Sequence, residues 1–221
     1  MTIDQKFIHK LVNVTTKAAI ASYQFIGKKD KISADKAAVD SMRTELNQMN
    51  IKGEIVIGEG ELDEAPMLYI GEKVGTTHGP EIDIAVDPLE GTNFVANNLP
   101  GALSVISIAE KNNLFNAPET YMEKISTKVS EKNVVDLDYS VKKNIFNLSE
   151  YLNKKPENLT ACILDRPRHN KIIEELRNLK VRIKFISDGD ISGALLVTDE
   201  KYSVDIFLGT GGGPELSLIH I

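Results

Sequence analysis

The run Asp87-Pro88-Leu89-Glu90-Gly91-Thr92 sets two carboxylates and a hydroxyl directly after the apolar stretch Ile82 to Val86. Pro88 is expected to end a strand there, and Gly91 permits a tight turn, so Asp87, Glu90 and Thr92 can converge on one point. Hard cations such as Mg²⁺ or Mn²⁺ prefer oxygen ligands of this kind, and a nearby Thr92 hydroxyl suits the orientation of an attacking water. The alternative is an ordinary acidic surface turn, which the uncommon order of residue types places second. A further acidic run, Gly58-Glu59-Gly60-Glu61-Leu62-Asp63-Glu64, packs four acids into six residues. These repel one another unless water or a cation intervenes. Taken alone the run reads as a solvated loop; beside the Asp87 motif it reads as a second contributor to a metal site, with its glycines letting the backbone approach closely.

Three later segments each follow an apolar run: Asp165-Arg166-Pro167-Arg168-His169, Ser187-Asp188-Gly189-Asp190, and Gly209 through Glu215. The guanidinium forks of Arg166 and Arg168 match phosphate oxygens, although a solvated loop explains them equally well on spacing alone. Asp188 and Asp190 can accept hydrogen bonds from sugar hydroxyls or cap a helix, and the two uses are compatible. The glycine run suits backbone N–H contacts to phosphate, which by itself is weak evidence. His169 reads as a helix-start residue, and Tyr121 as a half-buried helix aromatic. Cys162 is the single cysteine, set in the apolar run Leu159 to Leu164, so it reads as a small core residue and excludes an intrachain disulfide.

Positioning these groups requires a mixed framework. Phe7, Leu11, Val14, Ala18, Ala21 and Phe25 form the stripe of an amphipathic helix that Gly27 ends. A second helix is expected over Lys31–Gln48, with Val39, Met42, Leu46 and Met49 on its apolar face. Asp35 lies on that same face, where a carboxylate must be paired, metal-bound or wet. Its place near the helix start favours the wet reading on position alone. Strands are expected at Glu54–Ile57, Ile82–Val86 and Leu103–Ala109. A polar, irregular stretch follows from Glu110 to Lys143, with a short helix at Glu119–Thr127, and it is the expected domain junction. From Leu159 the pattern alternates: strand Leu159–Leu164, helix His169–Leu179, strand Val181–Ile186, helix Asp190–Val197, strand Val204–Leu208. This implies a mostly parallel sheet with its ligand site beyond the carboxyl ends of the strands.

In their order along the chain, several segments resemble the class II fructose-1,6-bisphosphatase family within the lithium-sensitive phosphatase superfamily. They are Ala34-Asp35-Lys36-Ala37-Ala38-Val39, Gly58 to Met67, Asp87 to Thr92, Ala117-Pro118-Glu119-Thr120-Tyr121-Met122-Glu123-Lys124, Asp165 to His169, Asp188-Gly189-Asp190 and the glycine run with Glu215. The resemblance implies an α/β, layered sugar-phosphatase fold with two sheet-containing domains. Residues 1–143 would form the metal-binding domain and 144–215 a substrate domain left incomplete, because the family continues well past Glu215. The last residues, Leu216 to Ile221, read as a non-native tail resembling a translated library adapter.

The same resemblance implies that Asp35 and Glu59 hold one metal and that Asp87, Glu90 and Glu215 hold another, two Mn²⁺ or Mg²⁺ ions per site. Thr92, Asp35 and Glu61 would be catalytic. Contacts to the sugar bisphosphate would come from Glu90, Gly91 and Thr92, from Tyr121, from Arg166, Pro167 and Arg168, from Asp188, Gly189 and Asp190, and from Gly212. The implied reaction is hydrolysis of the 1-phosphate of fructose 1,6-bisphosphate to fructose 6-phosphate, a step of gluconeogenesis. Rival readings are a related phosphatase acting on inositol phosphates or sedoheptulose 1,7-bisphosphate, and an inactive phosphate-binding remnant.

The whole sequence agrees with this class of function. A chain of 221 residues with 42% hydrophobic content can bury a real core. A formal charge of -6 and a pI near 5.3 argue against general affinity for nucleic acid or anionic membrane, so an anionic substrate must be caught locally. No signal-peptide core and no stretch of membrane-spanning length is present, so a cytoplasmic location is expected. The full-length protein is expected to form a homo-oligomer.

Overall fold

The computed structural model describes residues 5–58, 67–114 and 120–214. Glu59 and Glu61 with most of their acidic run, Glu215 and the tail 216–221 lie outside the described residues. The fold divides into two compact units, one formed by the chain up to Thr120 together with the segment from Gly213, the other by Tyr121–Gly212. The boundary at Thr120/Tyr121 lies inside the polar stretch Glu110 to Lys143 expected to hold the junction, and earlier than the division after residue 143.

The first unit opens with α1 (Gln5–Tyr23) and α2 (Lys31–Asn47), followed by β1 (Lys52–Ile57), β2 (Lys73–Val74), β3 (Glu81–Glu90), α3 (Thr92–Ala96) and β4 (Leu103–Glu110). Asp30 caps α2 by accepting a hydrogen bond from the Ser33 amide at 3.0 Å. The four strands form one sheet in the order β2-β1-β3-β4, with β1 and β3 parallel and the outer pairs antiparallel. The apolar faces of the two helices and one face of the sheet share a single core, in which Ala38, Met42, Leu46, Ile55 and Ile84 are all fully buried. Burying a side chain of Leu, Ile or Met size contributes roughly 1.5–3 kcal/mol, so this packing fixes α2 on the sheet.

Pro88 does not end β3 as its residue type suggests. Pairing of β3 with β1 stops at Ala85, so the missing proline N–H costs no ladder bond on that side. On the other side Asp87 pairs with Val105 and Glu90 with Leu103, so three steps on β3 match two on β4. The extra residue is accommodated as a bulge that re-aims the strand end.

The second unit contains β5 (Tyr121–Ser126), α4 (Val141–Tyr151), β6 (Thr160–Leu164), α5 (Asn170–Asn178), β7 (Arg182–Ile186), α6 (Asp190–Leu195) and β8 (Ile206–Gly212). Its sheet runs β5-β8-β6-β7, with β6 parallel to both β7 and β8 and β5 antiparallel to β8. Ile145, Leu148, Leu159, Ala161, Leu176 and Ile206 form its core and are fully buried.

Two expectations fail in this unit. The segment 121–126 is a strand, not a helix: each of its residues pairs with β8, from Tyr121 opposite Gly212 to Ser126 opposite Phe207. The non-local ladder outweighs a weak local helical preference. The glycine run is also not a loop, since Gly209–Gly212 continues β8 in the interior of the sheet.

Candidate active site

The topology of the second unit places the candidate substrate residues at one end of a single sheet. Parallel strands β6, β7 and β8 run to the same end, where Asp165 to His169, Ser187 to Asp190 and Gly212 follow or finish them. Because β5 is antiparallel to β8, its first residue, Tyr121, stands opposite Gly212 at that same end. Ligand sites of α/β sheets lie at this position.

Side-chain contacts tie the group together. The Arg168 guanidinium lies over the Tyr121 ring, 4.9 Å from its centroid. Arg168 Nε donates to the Thr210 carbonyl at 2.7 Å, which fixes the side chain from its stem. Arg166 Nη2 lies 3.7 Å from Asp188 Oδ1. Tyr121 is 70% exposed, so it is a surface aromatic on a strand and not the half-buried helix residue that its surroundings in sequence suggest. Pro167 begins a 3₁₀ turn through His169 that lets Arg168 and His169 reach β8.

His169 starts the following helix, as expected, and has a second use. Its ring is fully buried. Nδ1 lies 2.8 Å from the Leu164 carbonyl and Nε2 accepts the Thr210 N–H at 2.9 Å. A ring protonated on Nδ1 satisfies both bonds together. The imidazole thereby joins β8 beyond the point where β6 pairing stops.

Asp190 is buried, and its Oδ2 accepts from Lys124 Nζ at 2.5 Å. It does not cap α6: that position belongs to Gly189, at φ 80° and with no side-chain hydrogen bond. Sequence reasoning missed Lys124 as a functional candidate. No alternation in 121–126 marks it: residue 124 is the one buried position of β5, and its partner Asp190 lies 66 residues away.

In the first unit, Gly91 stands at φ 78° between Glu90 and Thr92, and a Cβ there would come 2.6 Å from Phe94 Cδ2. Only glycine fits this turn, which makes Thr92 the first residue of α3. Glu90 is buried, and Asp87 Oδ1 accepts from the Leu89 amide at 3.1 Å, holding the carboxylate at the bulge. Asp35, on α2, has a buried Oδ1 with no hydrogen-bond partner among the described residues. Burial pushes its carboxyl above the usual range. A desolvated carboxylate oxygen left without a donor fits a hard cation better than it fits a solvated helix start. Among the described residues no three His, Cys, Asp or Glu side chains group closely enough to hold a metal ion. Three of the expected acids, Glu59, Glu61 and Glu215, are outside the described residues.

The family model for bacterial fructose-1,6-bisphosphatase, glpX-encoded, matches residues 5–219. Fructose-1,6-bisphosphatase 1 class 2 of Escherichia coli (strain K12) is 48% identical over 202 residues, covering 91% of this chain and 60% of that protein. D-fructose 1,6-bisphosphatase class 2/sedoheptulose 1,7-bisphosphatase of Synechococcus sp. (strain CC9902) is 45% identical over 213 residues, covering 96% of this chain and 64% of that protein. This chain thus spans about three-fifths of the length of these curated relatives. A crystal structure of CysQ from Bacteroides thetaiotaomicron, described as a bacterial member of the inositol monophosphatase family, aligns at TM-score 0.46 and 17% identity over 92% of this chain and 79% of that one, a likeness too distant to carry argument. On the strength of the family match and of the identity to its curated relatives, the chain belongs to the bacterial, glpX-encoded fructose-1,6-bisphosphatase family.

Proposed function

We propose that the protein hydrolyses the 1-phosphate of fructose 1,6-bisphosphate, giving fructose 6-phosphate and phosphate. The observation that carries this reading is the sheet end of the second unit, where two guanidinium groups, an exposed tyrosine and two carboxylates meet. Arg166 and Arg168 bind phosphate oxygens through charge-assisted hydrogen bonds. Asp188 and Asp190 accept from sugar hydroxyls, and the exposed Tyr121 ring lies under the Arg168 guanidinium beside the substrate. Pro167, Gly189 and Gly212 supply backbone at the same end.

In the first unit, Asp35 and Glu59 would hold one divalent cation, and Asp87, Glu90 and Glu215 a second, Mn²⁺ or Mg²⁺. When bound, a pair of such cations neutralises phosphate charge and lowers the pKa of water. Thr92, fixed by the Gly91 turn, would orient and activate the attacking water with Asp35 beside it, and Glu61 would take the water's proton and return it to the sugar oxygen as the P–O bond breaks. Gly91 keeps the backbone between Glu90 and Thr92 open to the substrate. Asp87→Ala is expected to lower phosphate release by at least a factor of about 10³ while the far-ultraviolet dichroism stays that of the parent, an effect the size of removing a principal electrostatic group. Turnover within tenfold of the parent would refute the assignment.

A second reading has a specific support. Several cyanobacterial relatives are named D-fructose 1,6-bisphosphatase class 2/sedoheptulose 1,7-bisphosphatase. The metal residues do not distinguish a six-carbon from a seven-carbon sugar bisphosphate. Comparing kcat/KM for the two substrates decides between a single and a dual specificity.

A further inference from the structure

Lys124 and Asp190 form an ion pair that the proposed chemistry uses only on one side. Both side chains are almost wholly buried, at 4% and 7% exposure, with Nζ 2.5 Å from Oδ2. Burying two charges costs several kcal/mol per ion before their attraction is counted, so a pair of this kind marks a place where geometry matters more than stability. The backbone is shaped to receive it. A Cβ on Gly211 would lie 1.6 Å from Asp190 Oδ2 and 3.1 Å from Lys124 Nζ. The carboxylate therefore rests against the bare Cα of Gly211, next to Gly212 at the end of β8. Oδ2 is fixed on Lys124, and Oδ1 is the carboxylate's second acceptor oxygen.

We propose that Lys124 is a positioning residue: it anchors one oxygen of Asp190 so that the other is presented, at a fixed angle, to a hydroxyl of the sugar bisphosphate. This rests on the reading that Asp190 touches substrate. The position explains why a cation stands on an otherwise short edge strand and why β8 carries glycine at 211. Without the ammonium, the carboxylate gains rotational freedom and binding weakens, while the phosphate chemistry is left alone.

A double-mutant cycle on the full chain tests this, with fructose 1,6-bisphosphate as the probe. The variants are Lys124→Met, Asp190→Ala, the double Lys124→Met/Asp190→Ala, and Lys124→Arg as the conservative replacement. Loss of a charge-assisted contact predicts that Lys124→Met and Asp190→Ala each raise KM by about tenfold with kcat within about twofold. The double variant should be no weaker than Asp190→Ala alone, and Lys124→Arg should recover part of the loss. Additive effects in the double variant, or equal falls in kcat and KM effects that track thermal stability, would overturn the positioning role. If Asp190→Ala leaves KM unchanged, the reading of Asp190 as a substrate contact is what fails. Should Lys124→Met not fold, Gly211→Ala supplies the same displacement of Asp190 from the other side. It is expected to raise KM as Asp190→Ala does, and an unchanged KM would count against the proposal.

Discussion

Asp35 shows how a single residue can sit at odds with its surroundings for a reason. On α2 it occupies the apolar face, and its orphaned Oδ1 disfavours the charged form. A folded-state pKa raised above the unfolded value means that the native state holds the proton more tightly. Metal-free protein should accordingly lose stability as pH rises through the raised native value of Asp35. Asp35→Asn removes this slope, because an amide does not titrate. The metal-free variant should melt higher than the parent at neutral pH, yet gain less from added Mn²⁺. Thermal melts across pH, with chelator and with Mn²⁺, check both statements; a variant that melts lower without metal and gains as much as the parent from it would contradict them.

The elements explain how much of this was legible beforehand. The stripes of α1 and α2 were readable because each helix buries one face: Val14 and Ala18 in the first, Val39, Met42 and Leu46 in the second, are all in the core. The strand-end segments 165–169 and 187–190 were readable because apolar β runs precede them. What failed depends on partners distant in sequence. Residues 121–126 become a strand through pairing with β8, more than eighty positions later, and the glycines of β8 look like a loop until Asp190 and His169 are seen packed against them. Helix α4 went unseen because Val141 to Tyr151 is rich in polar residues and adjoins an irregular stretch. His169 is the clearest element-scale device, since it supplies the hydrogen bonds that β6 no longer provides to β8. Replacing it with alanine should cost about 3 kcal/mol, combining an unsatisfied Thr210 amide with a cavity. Urea unfolding would measure that cost, and a loss below about 1 kcal/mol would show that the clamp is dispensable.

At the scale of the molecule, the residues proposed for the site differ in type between the two sheet-based units. The first carries the acids Asp35, Asp87 and Glu90 with the hydroxyl of Thr92, and the second carries Arg166, Arg168, Asp188 and Asp190. Among the described residues no helix is long and apolar enough to cross a membrane. If Arg166 and Arg168 capture the substrate as proposed, against an acidic net charge, binding of a bisphosphate should weaken as salt rises, and Arg166→Ala with Arg168→Ala should remove most of that dependence. Titrations at several ionic strengths test this; an unaltered salt dependence in the double variant would place the phosphate contacts elsewhere.

Carboxylates from separate elements are proposed to serve a metal-dependent hydrolysis of a sugar bisphosphate. Phosphate release from fructose 1,6-bisphosphate, followed with Mn²⁺, after chelation and after Mn²⁺ is restored, tests it most directly. The expected result is release that stops on chelation, returns with Mn²⁺ and is absent from Asp87→Ala. Release that continues undiminished in excess chelator, or that survives in Asp87→Ala, would contradict it.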